Sequence, residues 1–134
     1  MGGSARLKLL LDTHIWIWLL QNPKRLGIRA RKELSDPENA LWLSPISVWE
    51  ALVLNRKGRI RLPEDLITWL SQATSGIREA PLTQEIVLAS NQLLLHHDPA
   101  DRFLAATAQV LDLVLVTADE RLLGLGNIQS LSNR

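Results

Sequence analysis

Three short apolar runs constrain this chain more than any other feature: residues 7–11, "LKLLL", residues 40–44, "ALWLS", and residues 113–117, "LVLVT". Each is too short for a buried helix and has the unbroken apolar character of a strand covered on both faces. Longer segments between them carry helical punctuation. Residues 13–21 read as a helix ending near "QNP", and 27–35 as a second one stopped by "DP". A helix over 45–58 has Pro45 in its first turn and Arg56-Lys57-Gly58 at its end. Residues 64–74 place Leu66, Ile67 and Leu70 on one side. Residues 83–95 start at Thr83, a candidate cap, and 98–111 form a last helix. "GIREAPL", 76–82, is an extended link or a small edge strand, and "NIQSL", 127–131, a final edge strand. Strand–helix alternation of this kind predicts an α/β fold, a three-layer sandwich whose central parallel sheet is flanked by helices.

The 134 residues suffice for a single domain, 1–134, with "MGGSA" at 1–5 expected to be disordered or a cloning remnant. A hydrophobic share of 46% argues against a disordered chain. There are no cysteines, which removes disulfides and thiolate metal sites. Without an apolar run of roughly 18 residues, no membrane span is expected, and the lack of cysteines makes a cytoplasmic location the expectation. The net charge of +1 decides nothing about nucleic acid.

Open parallel α/β sheets bind ligands beyond the carboxyl ends of their strands. Asp12 follows the first strand there, and Asp119 follows "LVLVT" at the equivalent end of the third. Glu50 falls inside the stripe formed by Ile46, Trp49 and Val53, where a solvated glutamate has no reason to be. Asp101 extends the face of Leu104, Ala105 and Ala108. Four acids at one half-buried edge repel one another, so either some are protonated or a cation neutralises them. Oxygen ligands without Cys or His suit Mg²⁺ or Mn²⁺. Each acid also has a structural reading. Asp12 and Asp119 read as N-caps, Asp98 as the cap of "DPAD" with Pro99 behind it, and Asp101 as a partner of the helix dipole. Capping does not account for Glu50.

Thr13 and Thr117 flank the key aspartates and are placed to orient them, although ordinary turn hydroxyls look the same in sequence. His14 adjoins the site and is either a substrate contact or a half-buried structural residue. With His96 and His97 it lacks a transition-metal spacing. Arg56, Lys57, Arg59 and Arg61 form a basic segment, either a solvated face or a grip on RNA phosphates. "RARK", 29–32, is a weaker version. The helix at 13–21 is apolar nearly all round, with Trp16 and Trp18. It either meets a partner chain or is enclosed within its own.

The segments "LLLDTHIWIW", "SPISVWEALVLNRKGRI", "DPADRFLAATA" and "LVLVTADERL" together span residues 9–122. In order and spacing they resemble the PIN-domain ribonucleases, in particular the VapC-like toxins of bacterial and archaeal toxin–antitoxin pairs. The resemblance implies a PIN-like sheet of four or five strands between helices. It implies an acidic site at Asp12, Glu50, Asp101 and Asp119, with Asp98 as the neighbouring candidate for the third acid. It also implies Mg²⁺- or Mn²⁺-dependent endonucleolytic cleavage of RNA, a cognate antitoxin that covers the site and binds operator DNA, and a homodimer. With no tyrosine and one phenylalanine, base stacking would fall to tryptophan or arginine.

The expected mechanism is metal-assisted hydrolysis, with Asp12, Asp101 and Asp119 as ligands and Glu50 ligating or orienting the attacking water. One rival is a non-catalytic module of the same fold that binds RNA or protein. A second, a phosphotransfer domain with Asp12 as nucleophile, fits less well. "DTH" lacks the second acid of D-x-D, and no lysine follows Lys57.

Overall fold

The computed structural model describes residues 6–93 and 98–134. The chain runs β1 (Lys8–Leu11), α1 (Thr13–Gln21), a 3-10 turn (Pro23–Arg25), α2 (Ile28–Ser35), β2 (Ala40–Leu43) and α3 (Pro45–Arg56). It continues through α4 (Leu66–Ala73), β3 (Ile77–Glu79), α5 (Gln84–Ser90), α6 (Pro99–Leu111), β4 (Val114–Thr117), α7 (Glu120–Leu123) and β5 (Gln129–Ser132). All strand pairs are parallel, in the order β3-β2-β1-β4-β5.

β1 is the middle strand, which is why Leu9, Leu10 and Leu11 are all buried. Successive side chains on a strand point to opposite faces. Leu9 and Leu11 join Val116, Ile15, Trp16 and Leu34 in one core. Leu10 joins Leu115, Ile86, Ala105 and Leu122 in the other. Small residues on α6, among them Ala105, Ala106 and Ala108, let that helix lie close in the second core. The two cores on opposite faces of the sheet give the three layers expected from the sequence.

α1 buries one side of its apolar circumference within the chain. Ile15, Trp16 and Ile17 are buried, the Trp16 indole donates to Ala73 O at 3.0 Å, and its ring lies 5.5 Å from that of Trp69. The enclosed reading describes that side of the helix, while Trp18 and Leu19 are half-buried. Leu20, at its C-terminal end, is open to solvent, as are Ile28, Trp49, Ile67 and Leu88 elsewhere.

Other elements depart from expectation in modest ways. The segment at 76–82 does contain an edge strand, β3. The final strand sits slightly later than 127–131. α5 ends at Ser90, short of the expected residue 95, and residues 94–95 lie outside the described residues. The 3-10 turn and the four-residue α7 were not expected at all, since neither is long enough to show a period. At Gly27, the N-cap of α2, the C-terminal segment passes so close that a Cβ would overlap the Arg134 backbone. There Gly27 N donates to Asn133 Oδ1 at 2.8 Å, and Ala30 N donates to Arg134 O at 2.9 Å. Among the described residues no helix is long and apolar enough to cross a membrane.

Candidate active site

Parallel pairing of β1 with β4 sets Leu11 opposite Val116, so both strands end together. Asp12 N donates to Val116 O at 3.0 Å, which carries the pairing one residue past β1. Asp12 then caps α1: its Oδ1 accepts from Thr13 N at 2.7 Å. Its Oδ2 accepts from Thr117 Oγ1 at 2.6 Å, and Thr117 Oγ1 in turn accepts from Asp119 N at 3.0 Å. Thr117 therefore ties the two strand-end aspartates together through one hydroxyl. Asp119 caps α7, accepting from Arg121 N at 2.9 Å.

The helices bring in the other acids. Thr13 Oγ1 donates to Glu50 Oε1 and lies 2.9 Å from Ser47 Oγ; with one proton on each hydroxyl, Ser47 donates in that second contact. The buried line of α3 is Ser47 and Ala51, whereas Trp49 is 56% exposed. The stripe of Ile46, Trp49 and Val53 is thus not the inward face. Small side chains at Ser47 and Ala51 let α3 approach α1, and Glu50 reaches the site beside them. Asp101 stands in the first turn of α6 and is buried together with Leu104, Ala105 and Ala108. Asp98 caps that helix through Ala100 N at 3.0 Å.

Asp12, Glu50, Asp98, Asp101 and Asp119 line one hollow of about 420 Å³, with His14, Trp18 and Arg121 also on its wall. Crowding and burial act on these carboxyls as expected. Asp101 is pushed up to about 7, first by burial and then by Asp98, Asp12, Asp119 and Glu50. Glu50 is raised by burial, against the Thr13 hydrogen bond, with the charges of Asp12 and Asp98 adding to the rise. Asp12 is raised by burial despite the hydrogen bonds from Thr117 and Thr13. Arg121 supplies positive charge here. Its Nε and Nη2 lie 3.2 and 3.1 Å from the Asp119 oxygens, and Nη2 is 4.0 Å from Asp101.

The donor set is all oxygen apart from His14, and its surplus negative charge suits a hard divalent cation. Among the described residues no three such side chains form a ready-made ion cage. The acids surround a shared space in which Arg121 already occupies the Asp119 side.

Of the four expected basic residues, Arg59 alone lies on a hollow adjoining the acidic one, which His14 and Trp18 also line. Arg56 and Lys57 are exposed at the end of α3, and Arg61 lines a separate hollow with Leu20 and Trp69. His96 and His97 lie outside the described residues. Arg121, Ser47 and the site-facing role of Trp18 escaped the sequence reading. The available signals were spacings: Ser47 three residues before Glu50, Trp18 four after His14, and Arg121 two after Asp119.

The sequence pattern of the PIN domain matches residues 9–127. Ribonuclease VapC22 of Mycobacterium tuberculosis is 32% identical over 116 residues, 85% of this chain and 88% of that protein. A toxin–antitoxin complex from Klebsiella pneumoniae contains a chain of similar structure, with TM-score 0.63 and 25% identity, covering 94% of this chain and 98% of that one. VapBC2 from Rickettsia felis, solved with a DNA fragment from its promoter, shares the fold at TM-score 0.69 and 15% identity, over 94% of this chain and 98% of that one. The chain belongs to the PIN-domain family, on its VapC-like branch.

Proposed function

We propose that this chain is a divalent-metal-dependent endoribonuclease that hydrolyses RNA phosphodiester bonds as the toxin of a toxin–antitoxin pair. The observation that carries this reading is the hollow in which acids from four parts of the chain share about 420 Å³ at the carboxyl edge of the sheet. Kinship with a named VapC ribonuclease supports the reaction class.

Asp12, Asp101 and Asp119 would hold Mg²⁺ or Mn²⁺, with Glu50 as a further ligand or as the residue facing the attacking water, and Asp98 close by. When bound, the ion supplies Lewis-acid stabilisation of charge on the phosphate and a more acidic water. The chain's own residues do the rest. Thr13 and Thr117 fix both oxygens of Asp12. Thr13 also fixes one oxygen of Glu50. The other Glu50 oxygen takes a proton from the water as its oxygen bonds to phosphorus. The bond from phosphorus to the 3′-oxygen breaks, and that oxygen takes up a proton from solvent. The products carry a 5′-phosphate and a 3′-hydroxyl.

A cognate antitoxin protein is the proposed physiological partner, in line with the VapBC assemblies among the structural neighbours. Self-association as a homodimer is proposed to use an exposed apolar surface. The proposed working place is the cytoplasm, and the chain is read as one domain.

The test is cleavage of a labelled RNA in Mn²⁺ against EDTA, with Asp12→Asn beside the wild type. Cleavage that needs the metal and is lost in a folded Asp12→Asn variant is the expected result. A folded wild type that binds RNA and never cuts it would assign the pocket to a non-catalytic binding module.

A further inference from the structure

Beside the acidic hollow lies a second one of opposite character, about 450 Å³ in volume. The two share His14 and Trp18 as a common wall. Its remaining polar lining includes Arg25 and Arg59, its apolar lining Ile17, Leu54 and Ile60, and no carboxylate takes part. The Arg25 guanidinium carbon sits 4.7 Å from the centre of the Trp18 ring, and His14 lies 5.9 Å away, tilted at 52°. Arg25 and Arg59 are exposed and form no ion pair among the described residues. Two uncompensated guanidiniums therefore flank a half-buried indole at the border of a strongly negative pocket.

That arrangement suits one kind of ligand. A phosphodiester strand entering a nest of acids needs positive charge on its flanking phosphates. A single-stranded nucleotide also exposes a base that stacks on an aromatic or guanidinium plane. We propose that the Trp18–Arg25–Arg59 groove is a nucleotide subsite that holds the residue next to the scissile phosphate of single-stranded RNA. The base lies against the Trp18–Arg25 stack, and the flanking phosphate is held by Arg59 and the edge of Arg25. The assignment rests on the ribonuclease reading above and extends it from reaction to substrate recognition.

The experiment has two arms. In the first, kcat and KM for a short single-stranded RNA in Mn²⁺ are measured for wild type, Arg25→Ala, Arg59→Ala, Trp18→Leu and Trp18→Phe. In the second, anisotropy of a fluorescein-labelled RNA octamer reports Kd for the same substitutions in a Glu50→Gln background with Mg²⁺. Thermal midpoints verify folding, and the two exposed arginines keep the test valid if Trp18→Leu unfolds. Trp18→Leu is expected to weaken Kd and raise KM about 5- to 30-fold, with Trp18→Phe recovering most of it. Each arginine variant is expected to flatten the slope of log Kd against log salt by about 0.7. For the two arginine variants, which do not line the acidic hollow, kcat should stay within about twofold, because binding interactions common to ground and transition states act on KM.

A wild type that cleaves, with variants unchanged in KM, Kd and salt slope, overturns the subsite and leaves the groove to a protein partner. A wild type that does not cleave, with variants weakened in Kd and salt slope as expected, upholds the groove and removes the nuclease reading. A wild type that does not bind the octamer overturns the subsite.

Discussion

Asp101→Asn should make this protein more stable while disabling it. The Asp101 carboxyl is held near 7, against about 3.8 in an unfolded chain, chiefly by burial and by four neighbouring acids. A group whose folded pKa is raised resists ionisation in the native state. Its penalty is absent below about pH 4, grows between about 4 and 7, and is complete above 7. A shift of roughly three units corresponds to a ceiling of about 4 kcal/mol. Asp101 lines a hollow that opens to solvent, with the exposed Arg121 4.0 Å away, and screening by both reduces this to about 2 kcal/mol. Asparagine keeps the shape and carries no charge. In EDTA at pH 8, Asp101→Asn should therefore melt about 5–10 °C above wild type. At pH 4.5 most of that gain should vanish. Scanning calorimetry at both pH values, with urea melts for ΔG, measures the difference. Equal or lower stability of the variant at pH 8, or a gain just as large at pH 4.5, would refute the electrostatic account. Mn²⁺ should raise the wild-type melting point more than that of the variant.

Other substitutions probe single contacts. Thr117→Val removes the hydroxyl between Asp12 and the Asp119 amide and should lower Mn²⁺ affinity or cleavage about 10- to 100-fold, as read by calorimetric titration and turnover. Arg121→Ala removes a competing cation from Asp119 and should tighten Mn²⁺ binding about two- to fivefold in the same titration. Gly27→Ala places a methyl group against the Arg134 backbone and should cost about 1–3 kcal/mol in a urea melt, with cleavage retained.

The centre of the fold was legible because buried parallel strands advertise themselves. "LKLLL" and "LVLVT" have no other comfortable home, and the acids that follow them inherit their position. Edge strands such as "QSLS" pack less of their surface, so the apolar signal fades and the boundaries drift. α1 illustrates a different limit. Its sequence states that it is surrounded by apolar matter but not whose, and here the matter is Leu34, Ala73 and Trp69 of the same chain. Glu50 was placed inward for an inexact reason. The true inward marker was the pair of small residues beside it, which a count of large apolar side chains overlooks. The basic run 56–61 looked like one patch, yet the chain turns at Gly58 with φ +74°, and its charges part company. Arg25 reaches the adjoining hollow from the 3-10 turn just after α1, which is too short to show a period in sequence.

The hydroxyl bridge from Thr117 to Asp12 joins residues 105 positions apart. A half-made chain emerging from the ribosome owns Asp12 and Glu50 but has nothing to hold them beside Asp101 and Asp119. Pairing between such remote segments is slow, because a large loop must close first. The acidic pocket is therefore among the last things this polypeptide acquires. Any activity of that pocket waits until β4 has been made and has paired with β1.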